Sequence, residues 1–161
     1  MNINIRSATL DDAAMICTVV RRSIAETCIE DHHNDAALIE TWLRNKTISN
    51  VEAWMQSPNA YSVVAEVDHS VVGFGMSRAD EILLCYVVPE VRFKGVGKSV
   101  LQALETYAAT NGISHLRLES TRTAEPFYRR NGFNAAGPAV LAFGMEGQPM
   151  TKAVTANHPS L

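Results

Sequence analysis

The stretch from Glu81 to Leu104 narrows the possible folds more than any other part of the chain. Glu81 to Val88 is an apolar run that reads as a strand and stops at Pro89. Arg92-Phe93-Lys94-Gly95-Val96-Gly97-Lys98 then forms a turn, with Ser99 just after it. Val100, Leu101, Leu104 and Ala108 follow at helical spacing, and Asn111-Gly112 closes the run. Strand, glycine turn and helix N-terminus make an anion site by construction. Successive amides point out of the turn, and the helix dipole adds positive potential. Gly95 and Gly97 let a phosphate approach the backbone, and Arg92, Lys94 and Lys98 add cations beside it. The segment therefore demands a domain that mixes sheet and helix.

Two familiar phosphate patterns fail here. The Walker loop G-x-x-x-x-G-K-[ST] needs glycine where Arg92 stands, although Gly97-Lys98-Ser99 mimics its end. The dinucleotide pattern G-x-G-x-x-G needs glycine where Val100 stands. What remains is R-x-x-G-x-G.

The rest of the chain supplies the partners of this unit. Asn2 to Ser7 reads as a first strand, and Thr9-Leu10-Asp11-Asp12 as a helix start carried on by Ala13, Ile16, Cys17, Val20 and Ile24. Glu30 to Asp35 reads as a polar loop. Ala36 to Lys46 and Asn50 to Gln56 read as short helices, with Trp42 and Trp54 on their apolar faces. Tyr61 to Val67 and Val71 to Met76 form a hairpin across Asp68-His69-Ser70. His115 to Glu119 is a strand, Ala124 to Arg130 a helix, and the chain to about Lys152 is weakly strand-like. The order β-α-α-α-β-β-β-α-β-α-β-β gives an α+β, mixed-sheet domain over residues 1–153, with a tail over 154–161.

With 161 residues there is room for one domain with a real core. A net charge of −3 argues against a nucleic-acid or anionic-membrane partner, because both need a basic face. Cys17, Cys28 and Cys85 are scattered and odd in number, so no disulfide framework or zinc ribbon is expected, and Cys17 and Cys85 read as buried thiols. The N-terminus lacks an apolar core of signal-peptide length, and no apolar run is long enough to span a membrane. A reducing, cytoplasmic setting is expected. Cys28, Asp31, His32, His33 and Asp35 crowd one loop. Adjacent histidines rarely face one ion and no second cluster completes four ligands, so no metal is expected. A solvated loop with Asp35 as helix cap is the other reading of these residues.

R-x-x-G-x-G after the Val87-Val88-Pro89 turn resembles the acetyl-CoA signature Q/R-x-x-G-x-G/A of the GNAT superfamily of N-acetyltransferases. Thr121 to Phe133 resembles a second family motif, N-x-x-A-x-x-x-Y-x-x-x-G-F, with Ala124, Tyr128, Gly132 and Phe133 in register and Thr121 in place of asparagine. The resemblance covers most of residues 1–133. It implies the GNAT acyltransferase fold, a central mostly antiparallel mixed sheet flanked by helices. It also implies acetyl-CoA as co-substrate and an amine of a small molecule or peptide as acceptor, with the Cys28–Asp35 segment bordering the acceptor site. A homodimer is compatible with it. A non-catalytic acyl-CoA sensor on the same fold is the alternative.

Acetyl transfer needs a neutral amine, a polarised thioester oxygen and a proton for the departing thiolate. A lysine-like amine has a pKa of about 10.4, so a general base helps at neutral pH. By resemblance Glu81, eleven residues before Arg92, is the candidate base. Strand alternation places it on one face with Leu83, Cys85 and Val87. A solvated strand-start residue, with a water chain as base, is the other reading. Tyr128 matches the tyrosine beside the coenzyme sulfur and is the candidate acid; a core aromatic is its alternative. Val87 or Val88 would offer an amide to the thioester oxygen and pair with pantetheine. Arg92, Phe93, Lys94, Gly95, Val96, Gly97, Lys98 and Ser99 would bind the coenzyme, its phosphates meeting the amides of Lys94 to Lys98; for Arg92, Lys94 and Lys98 a solvated charged turn is the other reading. Thr121 and Phe127 would border the pantetheine arm.

Overall fold

The computed structural model describes residues 1–142 and 144–155. Four β-branched or apolar stretches form an antiparallel meander: β1 Ile3–Ser7, β2 Ala60–Val67, β3 Ser70–Arg78 and β4 Glu81–Val87. The β2–β3 turn places Asp68 and His69 at positive φ, as a tight hairpin requires. β5 His115–Ser120 lies parallel to β4, and β8 Met145–Ala153 runs antiparallel to β5. The short strands β6 Asn134–Ala135 and β7 Val140–Ala142 also pair with β8. The sheet order β1-β2-β3-β4-β5-β8-β6 is mixed and mainly antiparallel, as expected.

Helices cover both faces. α5 Val96–Thr110 packs on one face, where Val96, Val100, Leu101 and Leu104 are fully buried. It comes close to β3 because Gly75 has no side chain; a Cβ there would lie 2.4 Å from Val100 Cγ1. The other face carries α1 Ala13–Thr27, α3 Ala36–Leu43 and α4 Ile48–Met55, with Ile16, Val20, Ile24, Trp42 and Phe74 in a second core. α1 is preceded by a single 3-10 turn, Leu10–Asp12. The Asp12 carboxylate accepts from the Thr9 amide at 2.8 Å and is bound by Arg6, which holds its pKa down to about 2.

Three expectations change. The polar run after Cys28 is a helix, α2 Ile29–His32, rather than a loop. It forms because Asp31 and His32 turn inward and are buried. His32 donates from Nε2 to the Ile24 carbonyl at 2.8 Å and accepts the Asn34 amide on Nδ1. The chain beyond residue 153 is not all tail: Val154 is buried, and its amide donates to the Ser114 carbonyl at 2.8 Å. The rest of the expected tail, from residue 156 on, lies outside the described residues. Cys85 is half-buried, unlike Cys17.

Candidate active site

β4 and β5 pair only at Glu81 and Arg117 among the described residues. Past that rung the two strands diverge, and a cleft of about 680 Å³ opens between them. Its walls are β4 from Ile82 to Val87, β5 at Leu118 and Glu119, the turn before α5, and α6 Glu125–Arg130. The ends of α1 and α2 close one side through Ser23, Thr27, Cys28 and Glu30.

The divergence leaves one edge of β4 without a strand. Val88 donates its amide to the Val72 carbonyl at 2.9 Å, so its N–H belongs to the β3 ladder. Amide direction alternates along an antiparallel strand, so the Val87 N–H points the other way, into the cleft. Val88 is therefore removed as a donor to the thioester, and Val87 remains. An extended ligand can pair with β4 there as a β5 neighbour would.

At the open end of the cleft lies the glycine turn. Gly95 adopts φ 86° as the residue before α5, with nothing within 4 Å of a Cβ built on it. Its glycine is set by conformation, not by space. Gly97 is the reverse. It is helical, and a Cβ would meet the Phe127 ring at 3.3 Å. The amides of Val96, Gly97 and Lys98 are the first three of the helix and lack intrahelical acceptors. Arg92, Phe93, Gly95, Gly97 and Lys98 line the cleft. Lys94, Val96 and Ser99 do not. Lys94 is exposed, the Val96 side chain is in the core, and the Ser99 hydroxyl donates back to the Gly95 carbonyl at 3.0 Å. Arg92 stacks its guanidinium 4.7 Å from the centre of the Phe93 ring.

Tyr128 is buried in the cleft wall, edge-on to Phe127 and Phe133. Burial holds its pKa well above the usual phenol value, with the Cys85 and Tyr86 side chains adding to the shift. The buried phenol therefore holds its proton more firmly than an exposed tyrosine does. Burial likewise pushes the Cys85 thiol up to about 12, offset in part by a hydrogen bond with Tyr128, so no thiolate nucleophile stands here. Thr121 lines the cleft while its Oγ1 accepts the Ala124 amide at 3.1 Å, which leaves the hydroxyl proton to donate.

Glu81 is not brought to this group. The β3–β4 register steps between Met76 and Ser77, which leaves Leu83 as an extra residue on β4 and breaks the expected alternation. Glu81 lies at the closed end, outside the cleft lining, with its carboxylate 3.3 Å from Arg117 Nη1. The crowded Cys28–Asp35 segment resolves into separate tasks. Cys28 lines the cleft as a buried thiol, and Asp35 caps α3 by accepting from the Ala37 and Leu38 amides. Asp31 accepts from the Arg122 amide at 2.7 Å and from the Thr123 amide and hydroxyl at 3.1 and 2.6 Å. It thus fixes the turn that leads into α6 and Tyr128. No spacing in the sequence joins positions 31 and 122.

The acetyltransferase (GNAT) domain family model matches residues 28–154, most of the chain and all of the cleft strands. The protein belongs to the GNAT acetyltransferase family. It is accordingly an acyltransferase. Spermidine N(1)-acetyltransferase of Thermoplasma acidophilum is 26% identical over 158 residues, 91% of this chain and 97% of that one. A crystal structure of PaiA N-acetyltransferase from Thermoplasma acidophilum, in complex with coenzyme A, matches with TM-score 0.80 and 25% identity over 95% of this chain and 99% of that one. An uncharacterized acetyltransferase of Streptococcus pyogenes is 37% identical over 60 residues, 37% of this chain and 42% of the relative's length. Among the described residues no helix is long and apolar enough to cross a membrane.

Proposed function

We propose that the protein transfers the acetyl group of acetyl-CoA to a primary amine of a small molecule or peptide, by direct attack in the β4–β5 cleft. The observation that carries this reading is the open interior edge of β4 leading to the N-terminus of α5. A long ligand with an amide-bearing arm and a pyrophosphate matches both features at once. The amides of Val96, Gly97 and Lys98, with the side chains of Arg92 and Lys98, take the phosphates. The free edge of β4 takes the pantetheine arm, bordered by Phe127 and by the Thr121 hydroxyl. The Val87 N–H polarises the thioester oxygen as negative charge grows there. The amine lone pair forms the C–N bond, the C–S bond breaks, and the thiolate leaves with the electron pair. Tyr128 donates its proton toward that sulfur. Cys85 beside it stays a thiol and does not compete for the acetyl group. The related protein named for spermidine supports an aliphatic amine as acceptor.

The test is ligand binding followed by turnover. Acetyl-CoA at a hundredfold excess over its Kd stabilises the folded protein by about 2.7 kcal/mol, read as a rise in melting temperature. Thiol release in the presence of an amine, and not in its absence, completes the assignment. A melting temperature indifferent to millimolar acetyl-CoA overturns it.

A further inference from the structure

An acceptor amine reaches the cleft mostly as an ammonium and has to lose a proton before it can attack. Glu81, held by Arg117, stands outside the cleft. Another carboxylate stands inside it. β5 alternates strictly: Leu116, Leu118 and Ser120 are buried, and His115, Arg117 and Glu119 project from the opposite face. Leu116 and Leu118 join the core with α5, so Glu119 looks toward the α1 and α2 side. That is the face of the cleft away from the phosphate turn. Glu119 lines the cleft together with Leu84, Tyr86 and Tyr128.

Its carboxylate has neither a hydrogen bond nor an ion pair among the described residues, although cations are near in sequence and in space. Arg117, two residues back on the same face, is committed to Asp80 and Glu81. Arg122 in the turn before α6 pairs with Glu146 of β8 at 3.6 Å. From β8, Gly147 offers only backbone: a Cβ built there would lie 3.8 Å from Glu119 Oε2. From α2, Glu30 lines the same side of the cleft and adds negative charge. The charged residues lining the cleft are Arg92, Lys98 and Arg130 on the cationic side and Glu30 and Glu119 on the anionic side. Arg92 and Lys98 belong to the phosphate turn, Arg130 to α6, and Glu119 and Glu30 to the strand and helix ends where a cationic amine would enter.

Resting on the acetyl-transfer reading above, we propose that Glu119 is the general base of the reaction, taking the proton of a cationic primary amine directly or through one water. The ammonium gives one proton to the Glu119 carboxylate, which later releases it to solvent. The freed lone pair forms the C–N bond and the C–S bond breaks. The nitrogen then loses a second proton, which balances the one Tyr128 delivers to the sulfur. The products are the acetamide, the free thiol and one proton in solution.

The test follows kcat/KM from pH 6.5 to 9.5 for the unsubstituted protein, Glu119→Gln, Glu119→Asp and Glu81→Gln. The acceptor is the fastest of spermidine, a lysine-containing peptide and tobramycin. Glu119→Gln is expected to lose about 10²-fold at pH 7 and to recover most of that near pH 9.5, where the amine deprotonates unaided. Glu119→Asp keeps a carboxylate one methylene back, so it retains part of the rate with a pH profile of unsubstituted shape. It also carries the test if the glutamine variant does not fold. The melting shift with acetyl-CoA is expected to be the same in all four, since the cofactor arm is untouched. A loss equal at every pH and carried by KM would make Glu119 an anchor for positive charge and overturn the base assignment. So would no loss at all, or a pH-dependent loss in Glu81→Gln alone. An unsubstituted protein that binds acetyl-CoA but acetylates no amine overturns the transfer reading itself, and this inference with it.

Discussion

Asp31 offers the sharpest test of how the site is held. The residue is 6% exposed, and its carboxylate receives three hydrogen bonds from a turn about ninety positions away in the chain. Hydrogen bonds to a charged group contribute about 1.5–3 kcal/mol each, but three that share one carboxylate do not add fully. Asp31→Ala also strands the Arg122 and Thr123 amides. The expected loss is about 3–5 kcal/mol, in the range of other broken buried charge contacts. For a domain of this size that lowers the melting temperature by roughly 6–20 °C. Asp31→Asn keeps the shape, loses the charge and turns one acceptor into a donor aimed at an amide. Its loss should approach that of alanine. The assay is urea and thermal unfolding, combined in a cycle with Thr123→Val. The Thr123 hydroxyl should be worth about 1 kcal/mol or more when Asp31 is present and little when it is absent. An Asp31→Asn protein within about 0.5 kcal/mol of the unsubstituted one, with no coupling to Thr123, refutes the argument.

Tyr128→Phe keeps the ring among Phe127 and Phe133 and removes the proton donor; turnover is expected to fall roughly 10²-fold while the acetyl-CoA melting shift is unchanged. Equal turnover would leave Tyr128 as a packing residue. Lys46 is buried, donates to the Trp42 carbonyl at 3.2 Å, and has its pKa lowered to about 8 by burial. The unfolded chain therefore binds more protons than the folded one between pH 8 and the ordinary lysine range, so stability rises with pH across that window. Denaturant melts of Lys46→Met, lacking the titrating group, should show a flatter profile there; an identical slope counts against the assignment.

The parts of the fold that the chain announces locally are the parts that could be read from it. Gly95 before α5 and Asn111-Gly112 after it fix both ends of that helix, and the structure bounds it at Val96 and Thr110. The β2–β3 hairpin follows from two β-branched runs around the polar Asp68-His69-Ser70, of which Asp68 and His69 make the turn and Ser70 already pairs with Val67. α2 was hidden because Asp31 and His32 look like loop residues until their distant partners are known. The extra residue at Leu83 has no signature in an unbroken apolar run, yet it decides which way Glu81 faces. Glu119 had a faint signal, the alternation of His115-Leu116-Arg117-Leu118-Glu119 just ahead of the Thr121 motif. Alternation puts Glu119 on an outer face but does not say that the neighbouring strand has turned away.

That divergence also bears on solubility. A row of unpaired amides and carbonyls is a template on which another chain can build, and most proteins blunt it at the rim of the sheet. Here such a row runs through the middle of the molecule, along β4 beyond Glu81. Its approaches are narrowed by the ends of α1 and α2 on one side and by α6 on the other. An extended ligand can pair along that row, while the flanking helices stand in the way of a strand that brings a second sheet with it. The gap is thereby screened from self-association by the helices that flank it, with the extra residue at Leu83 as the strand's own irregularity.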